Sequence, residues 1–310
     1  MIFISVEGNI GSGKSTVMKY LKQYFNNEKR IIFLEEPVDL WMHITDSNGK
    51  NMLEKYYADT KNYAFAFQMM AYISRISQIK KVLETTNADI IVSERSVHTD
   101  KNVFAKMLYD SNLLEDVEYK IYLNWFNEFI KDIPQSYAFY IKTDPNIANE
   151  RVQKRARPGE TCSLKYLDSC HSYHNNWLIP EKSKNVIKLF NEDFVNENSF
   201  KSWLHTSYYN NDDKHINKLA VLEVDGNIDI NEDNNAFDII SHAINILLKI
   251  KMFQKHIQTS INVTTNKFMD DKKYLKQNKY YLKKGLIIGC VTGVLIASIG
   301  FNTARFLNII

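Results

Sequence analysis

The stretch that decides the fold directly follows the apolar run Ile2–Val6 and reads Gly8-Asn9-Ile10-Gly11-Ser12-Gly13-Lys14-Ser15-Thr16. It matches G-x-x-x-x-G-K-[ST] in the strand–loop–helix context that this motif requires. Its glycines let backbone N–H groups converge on phosphate oxygens, Lys14 reaches the β- and γ-phosphates, and Ser15 can ligate Mg²⁺. This phosphate-binding loop predicts a site for ATP or GTP; a chance glycine turn is the alternative.

Short apolar, β-branched runs recur along the chain and alternate with stretches of helix length. We predict five strands, at Ile2–Val6, Ile31–Leu34, Asp89–Val92, Tyr137–Ile141 and Leu219–Val224. Strands that alternate with helices favour a parallel sheet covered on both faces. The expected fold is therefore α/β in three layers, a five-stranded parallel sheet flanked by helices, with an amphipathic closing helix at Ala236–Leu248.

Composition places the chain among globular proteins. Its 310 residues are 45% hydrophobic and 24% charged, which excludes disorder and a disulfide mini-scaffold. The formal net charge of +3 conceals a basic segment, because residues 251–284 hold nine Lys and two Asp and leave residues 1–250 acidic. We therefore expect no nucleic-acid partner. The three cysteines lack metal-ligand spacing and an even disulfide count, which favours a reducing compartment.

Charged residues follow the second and third predicted strands: Glu36 after one, Glu94 and Arg95 after the other. Ligands of an open parallel sheet bind beyond the carboxyl ends of its strands, so these side chains should crowd the phosphate-binding loop. A carboxylate there can take a proton from an acceptor hydroxyl, and a second can hold Mg²⁺ through water. An arginine can neutralise charge on a transferred phosphoryl group. Solvated strand ends are the alternative.

A helix is predicted over Asn62–Leu83, and Gln68, Ala71 and Arg75 share one of its faces. A glutamine and an arginine beside a small alanine can form a hydrogen-bonding floor for a base. Long polar side chains that reach for solvent are the alternative.

Three arginines lie close together near a helix breaker. Arg151 and Arg155 share a face of a helix that starts near Asn146, and Arg157 precedes Pro158-Gly159. We expect these arginines to form a mobile lid that closes on phosphates. The alternative is a basic helix end that complements the helix dipole.

Six ordered motifs within residues 1–182 resemble the cellular deoxyribonucleoside kinases, which include the deoxycytidine, deoxyguanosine and insect multisubstrate enzymes. They are GNIGSGKST (8–16), EPVDLW (36–41), FAFQ…SR (65–75), ERSVHTDKNVFA (94–105), RVQKRARPGE (151–160) and LKYLDSCHSYHNNWL (164–178). The resemblance implies a P-loop kinase fold, transfer of the ATP γ-phosphoryl group to a nucleoside 5′-hydroxyl with Mg²⁺, and a helix-packed homodimer.

The resemblance also implies individual roles at the reacting centre. Glu36 is the general base on the 5′-hydroxyl, and Arg95 helps to hold that hydroxyl. Glu94 is the carboxylate on the magnesium side, with Ser15 as a metal ligand and Lys14 on the phosphates.

Further implied roles concern the acceptor. Gln68 reads the base edge, and Tyr57 with Glu160 grips the 3′-hydroxyl, an arrangement that suits a deoxyribose. Aromatic side chains are expected to wall the base: Trp41, Phe65 and Phe104.

Ala71, Arg75 and Asp100 resemble the pattern of the deoxycytidine and deoxyguanosine kinases, whereas members that prefer thymidine carry apolar or small residues in place of the Arg–Asp pair. An arginine held by a carboxylate presents fixed donors to a ring nitrogen or a carbonyl oxygen and leaves less room for the thymine methyl group. We therefore expect deoxycytidine and/or purine deoxynucleosides as acceptors, with thymidine poor.

The organisation predicted for the chain is a kinase domain at 1–250 with a surface insertion at 183–218, a basic linker at 251–284, and a transmembrane tail helix at 285–304. The tail is uncharged over 20 residues, about 30 Å as a helix, and repeats glycine every fourth residue. Lysines before it predict a cytosolic side, so the enzyme is expected to face the cytosol. No signal or transit peptide is expected. A helix that packs on the kinase is the alternative.

Two other functions compete. A nucleoside monophosphate kinase of the thymidylate kinase type shares the phosphate-binding loop, although E-P-V, E-R-S and the Gln68 helix fit a neutral nucleoside better. A non-catalytic, membrane-tethered nucleotide-binding protein is the other alternative, and the retained charged residues argue against it.

Overall fold

A computed structural model describes residues 1–133, 137–157, 159–179, 182, 186–189, 219–228, 236–252, 255–256 and 259. Within them, six parallel strands pair in the order β2-β3-β1-β4-β6-β5. The strands are β1 (Ile2–Gly8), β2 (Ile31–Leu34), β3 (Ile90–Glu94), β4 (Tyr137–Lys142), β5 (Val186–Leu189) and β6 (Leu219–Asp225). The predicted parallel α/β architecture is confirmed.

The strand count is a correction. The predicted five strands are all present, but β5 adds a sixth inside the region assigned to a surface insertion at 183–218. β5 pairs with β6 alone, at the edge of the sheet. An edge strand of four residues needs no long apolar run, so its polar surroundings concealed it. The rest of the insertion lies outside the described residues.

The helices follow the predicted alternation with the strands. They are α1 (Lys14–Tyr24), α2 (Val38–His43), α3 (Met52–Ala58), α4 (Thr60–Thr85), α5 (Val97–Thr99), α6 (Lys106–Asp110), α7 (Asp116–Phe129), α8 (Pro145–Arg155) and α9 (Leu164–Leu178). A π-helical stretch (Asp100–Ala105) joins α5 to α6, and a 3₁₀ turn (Ile130–Asp132) follows α7. Residues 236–252 are helical and include the predicted closing helix.

Local sequence explains where the helices near the site begin. α3 starts with a reciprocal capping box between Asn51 and Glu54. α8 starts with an Asp144 cap and a proline in its first turn. α9 starts with a Ser163 cap that accepts from the Tyr166 N–H. These caps fix the ends of the elements that carry the predicted lid and the acceptor residues.

The core between the sheet and α4 determines which face of α4 turns to the site. Phe3 of β1, Tyr72 and Ile76 of α4, and Phe126 of α7 are buried in one cluster. The Tyr72 hydroxyl donates to the carbonyl of Phe126 at 3.3 Å. Because this arc of α4 is committed to the core, a neighbouring arc is left for the site.

The chain divides into two compact units, Met1–Ala243 and Ile244–Ile310. In the second unit, residues 244–252 are helical. Among the residues that the structure describes, no helix is both long enough and apolar enough to span a bilayer. The predicted tail helix at 285–304 and most of the linker at 251–284 lie outside those residues.

Candidate active site

The phosphate-binding loop connects the end of β1 to the start of α1. Gly11 has φ +79°, and a Cβ added there would lie 2.3 Å from the carbonyl oxygen of Ala148. Gly13 caps α1 in the left-handed region at φ +94°. Only glycine fits both positions without strain, and the loop can therefore bring its N–H groups to the N-terminus of α1.

Lys14 lies buried in the centre of this loop. Its Nζ donates to the carbonyl of Asn9 at 2.6 Å, and the Asn9 amide donates to the carbonyl of Leu167 in α9 at 2.8 Å. Burial, followed by the nearby Arg95 charge, lowers the pKa of Lys14 to about 7. An anion bound at the loop would favour the charged ammonium again.

Glu36 lies between two arginines beyond the ends of β2 and β3. Arg75 Nη2 donates to Glu36 Oε1 at 3.0 Å, and Arg95 Nε lies 3.3 Å from the same oxygen. Glu36 Oε2 accepts no hydrogen bond from the described residues. Burial alone would raise the pKa of Glu36, but Arg95, Arg75 and Lys14 outweigh it and hold that pKa at about 2. The group is therefore a carboxylate with one oxygen available.

Arg95 directly follows β3 and forms a hydrogen bond with the phosphate-binding loop. Its Nη1 donates to the carbonyl of Gly8 at 2.8 Å, and its guanidinium lies 5.0 Å from the centre of the Phe104 ring. Its φ of +61° is uncommon for a residue with a side chain. Such local strain is found at functional sites, where the surroundings hold it.

Ser15 and Glu94 meet at the loop. The Ser15 hydroxyl donates to Glu94 Oε1 at 2.7 Å, and both side chains line the same cavity. A hydroxyl and a carboxylate beside the phosphates are the hard oxygen donors that Mg²⁺ prefers, so these residues fit the expected ion.

The face of α4 that carries Gln68, Ala71 and Arg75 is buried. Arg75 is 1% exposed; its Nε donates to Asp100 Oδ2 at 3.0 Å and its Nη1 to the carbonyl of Glu94 at 3.0 Å. Burial raises the pKa of Asp100, and Arg75 opposes that rise. Gln68 is 2% exposed, and its Oε1 has no hydrogen-bond partner within the described chain. A buried carbonyl oxygen without a donor is suited to a ligand that supplies one.

The aromatic wall of the cavity differs from the prediction at one position. Trp41 and Phe104 line the cavity, but Phe67 lines it where Phe65 was expected. On α4, Phe67 lies one turn from Ala71, whereas Phe65 lies about 120° away from it. Both rings also pack against the core. The Trp41 ring stands edge-on to Phe67 at 5.6 Å, and its Nε1 donates to Ser74 Oγ at 2.9 Å.

The arginines of the predicted lid all bind groups of the protein itself. Arg151 donates to the carbonyl of Gly226 at 2.7 Å and to that of Asn227 at 3.1 Å. Arg155 and Arg157 both pair with Glu160. Pro158 lies outside the described residues. The three guanidinium groups therefore have partners that bound phosphates could replace.

Tyr57 and Glu160, the pair expected at the 3′-hydroxyl, both line the cavity. The Tyr57 hydroxyl lies 3.1 Å from Cys162 Sγ, and the Glu160 side chain is 6% exposed. Sequence reasoning did not include Cys162.

One cavity of about 470 Å³ brings together the predicted site residues except Gly8, Asn9 and Phe65. Its volume lies within the range of ordinary ligand pockets. It also includes side chains that sequence reasoning missed: Leu53, Tyr56, Lys154 and Tyr166. Tyr56 precedes Tyr57 in α3, and Lys154 lies between the arginines of α8, so proximity in the sequence was the available signal.

A phosphate-binding loop, a carboxylate held by two arginines and a lysine on the phosphate side define the class of enzymes that transfer phosphoryl groups. Residues 4–249 match the family model described as deoxynucleoside kinase. The chain is 33% identical over 236 residues to a probable deoxycytidine kinase of Fowlpox virus (strain NVSL), an alignment that covers 75% of this chain and 82% of that one.

Two further relatives are named for different substrates. Deoxyguanosine kinase, mitochondrial, of Xenopus laevis is 32% identical over 225 residues, covering 63% of this chain and 84% of that one. Thymidine kinase 2, mitochondrial, of Homo sapiens is 30% identical over 179 residues, covering 57% and 64%. The chain belongs to the deoxynucleoside kinase family. It is an enzyme of nucleotide salvage that phosphorylates deoxynucleosides with ATP, and kinases of this family use a divalent metal.

Proposed function

We propose that this enzyme transfers the γ-phosphoryl group of ATP to the 5′-hydroxyl of deoxycytidine and/or purine deoxynucleosides, with Glu36 as the general base. The observation that carries this proposal is the Glu36 carboxylate itself. Arg75 and Arg95 pair with its Oε1, and its Oε2 accepts no hydrogen bond from the described chain. Glu36 lines the same cavity as the phosphate-binding loop. Oε2 is the atom that would accept the 5′-hydroxyl proton.

The low pKa of Glu36 fits a base that acts late. In phosphoryl transfer the bond to the leaving group is largely broken before the attacking hydroxyl loses its proton, so a strong base is not required. A carboxylate that stays ionised orients the hydroxyl by accepting its hydrogen bond throughout. Arg95 and Arg75 keep Glu36 in that state and in that position.

The donor phosphates are assigned to the cationic side of the cavity. Lys14 and the loop N–H groups would bind the β- and γ-phosphates, and Arg151, Arg155 and Arg157 would close over them as the lid. Ser15 and Glu94 would hold Mg²⁺, which neutralises phosphate charge when it is bound.

Recognition of the nucleobase of the acceptor nucleoside is assigned to Gln68, Arg75 and Asp100. Asp100 and the Glu94 carbonyl hold the Arg75 guanidinium, so its donors have fixed directions. The Gln68 carbonyl oxygen can accept from an exocyclic amino group, which cytosine and adenine carry and thymine lacks. Small Ala71 lies between the two polar side chains. Thymidine would offer no amino group to Gln68 and would add a methyl group to this floor.

Values of kcat/KM for the four deoxynucleosides, with ATP and Mg²⁺ and with products separated, test this proposal. We expect deoxycytidine or a purine deoxynucleoside to exceed thymidine by at least about tenfold. A preference for thymidine would contradict the assignment of the base site and leave the kinase reaction in place. Phosphorylation of monophosphates alone would contradict the proposed acceptor.

We also propose that two copies pair through α4 and α7, as in the helix-packed dimers that the family resemblance implies. An exposed apolar stripe runs along α7 through Val117, Ile121 and Trp125, and Ile73 on the adjacent α4 is 48% exposed. Such a stripe on a helix face favours burial against another helix. Ile121→Glu with Trp125→Glu should convert a dimer into a monomer in sedimentation velocity. A monomeric parent chain would contradict the proposal.

The uncharged segment at 285–304 is proposed as a tail anchor with the kinase on the cytosolic side, supported by its length, its glycine spacing and the preceding Lys283 and Lys284. Alkaline extraction of cell membranes tests it. The full chain should stay in the pellet, and a chain that ends at residue 284 should be released. Release of the full chain would contradict integral insertion.

A further inference from the structure

The short link between α8 and α9 packs on one face of α3. A Cβ added at Gly159 would lie 2.6 Å from Glu54 Cγ, and Cys162 Sγ lies 3.1 Å from the Tyr57 hydroxyl. Glu54 and Tyr57 are three residues apart and share a face of α3. Glu54 is itself fixed, because its carboxylate accepts from the Asn51 N–H at 2.8 Å. The link therefore touches α3 at two points one helical turn apart.

Glu160 lies between these two contacts along the chain. Before a nucleotide binds, its carboxylate pairs with Arg155 and Arg157. Cys162 is 5% exposed and packs with Val152 of α8 and Leu167 of α9, so its position is set by both helices. The contact between Cys162 and Tyr57 consequently fixes the Tyr57 hydroxyl relative to the Glu160 carboxylate.

We infer that Cys162 is a positioning residue for recognition of the acceptor 3′-hydroxyl, acting through the Tyr57 hydroxyl. The inference rests on the proposed function and on the role in binding the 3′-hydroxyl that the family resemblance implies for Tyr57 and Glu160, a pair that we call the 3′-hydroxyl clamp. When the Cys162 S–H donates to Tyr57 Oη, the Tyr57 O–H is free to donate to the 3′-oxygen. Glu160 then accepts a hydrogen bond from the 3′-hydroxyl.

The protonation states suit this arrangement. Burial raises the pKa of the Cys162 thiol to about 11, and burial also raises the pKa of Tyr57 well above its usual value. Both groups keep their protons at neutral pH. The pair therefore offers a neutral hydrogen-bond donor and adds no negative charge beside the Glu160 carboxylate. Sulfur is a weak hydrogen-bond partner, and its effect is expected to be moderate.

The ratio of kcat/KM for the best deoxynucleoside to kcat/KM for its 2′,3′-dideoxy analogue measures 3′-hydroxyl recognition. Cys162→Ala should lower this ratio by about five- to tenfold and change kcat/KM for the dideoxy analogue less than about twofold. Cys162→Ser, which keeps a donor, should restore most of the ratio. If the alanine protein does not fold, Cys162→Val fills the space without a polar hydrogen. Cys170→Ala, at the other described cysteine, should leave the ratio unchanged.

Tyr57→Phe separates this inference from the proposed clamp. We expect Tyr57→Phe to lower the ratio and Cys162→Ala to add nothing in the Tyr57→Phe background. An equal loss for both acceptors, or a further loss of the ratio in the double variant, would overturn the positioning role of Cys162 and leave the clamp in place. A normal ratio in Tyr57→Phe would overturn the clamp and, with it, the inference, while the kinase reaction would stand.

Discussion

The two sides of the cavity hold their charges differently. On the acceptor side, Arg75 pairs with both Asp100 and Glu36, and Arg95 also pairs with Glu36, so two positive charges face two negative ones. Arg75 and Asp100 are each at most 2% exposed. On the donor side, Lys14 donates to a carbonyl, and the arginines of α8 bind carbonyls or Glu160. Acceptor-side charges are balanced before any substrate binds, whereas the donor side holds cations in excess.

This difference matches what each side has to bind. A nucleoside is neutral, so its site needs fixed hydrogen-bonding directions and no spare charge. A triphosphate is strongly anionic, so its site needs cations that can exchange their carbonyl and carboxylate partners for phosphate oxygens. Substitutions on the acceptor side should therefore affect turnover, specificity and stability, and those on the donor side should affect ATP binding.

Loss of the Glu36 charge should have the largest effect. Glu36→Gln keeps the shape but removes the proton acceptor, and we expect kcat to fall by about 10²–10⁴-fold with a much smaller change in the acceptor KM. Glu35→Gln is the matched control, because Glu35 is 62% exposed and pairs with Lys22. Steady-state kinetics of both variants decide the matter. Near-normal turnover in Glu36→Gln would remove Glu36 from the role of base.

Because the buried charges of the acceptor side pair with each other, we expect a double variant to be more stable than one of its single variants. Arg75→Met leaves Asp100 buried without its partner and should lower the free energy of unfolding by about 3–5 kcal/mol. Arg75→Met with Asp100→Ala removes both charges and should cost less than Arg75→Met alone, while thymidine becomes a better acceptor. Urea unfolding measures the difference. Simple additivity of the two substitutions would show that the pair is not coupled.

The glycines of the donor side separate crowding from backbone strain. In Gly11→Ala the new Cβ would lie 2.3 Å from a carbonyl oxygen, and the backbone would also be strained at φ +79°. In Gly13→Ala the backbone would be strained at φ +94°, but the nearest atom to the new Cβ would be 4.0 Å away. Gly49→Ala isolates the strain, because Gly49 has φ +79° and open space. We expect ATP binding to weaken most in Gly11→Ala, with Gly13→Ala and Gly49→Ala each losing about 1–2 kcal/mol of stability. Equal ATP affinities in Gly11→Ala and Gly13→Ala would contradict this order.

The smallest predicted effect is the uptake of a proton by Lys14 when ATP binds. Its pKa is about 7 without a nucleotide and should return toward 10.5 beside phosphates. ATP binding near pH 8 should therefore consume most of one proton, which calorimetry in buffers of different ionisation enthalpy measures. Without a nucleotide, the same shift makes stability rise with pH from about 7 to 10.5. Lys14→Met should abolish the uptake, and Lys22→Met should not.

Sequence alone predicted the features that local chemistry determines. The loop at 8–16 and the charged ends of β2 and β3 were readable because motif spacing and strand ends fix them. β5 was missed because an edge strand carries a weak signal. Phe67 was missed because packing in the core decides which arc of α4 faces the cavity. The bond from Arg151 to Gly226 joins residues 75 apart, and no local pattern encodes such a contact.

The central claim is that the charge-balanced side of the cavity accepts a neutral nucleoside. The most direct measurement supplies the 310-residue enzyme with ATP, Mg²⁺ and either each deoxynucleoside or its 5′-monophosphate, and separates the products. We predict that the nucleoside is converted to the monophosphate, that the monophosphate is not converted further, and that Glu36→Gln loses the first reaction. Efficient formation of the diphosphate without phosphorylation of any deoxynucleoside would contradict the account.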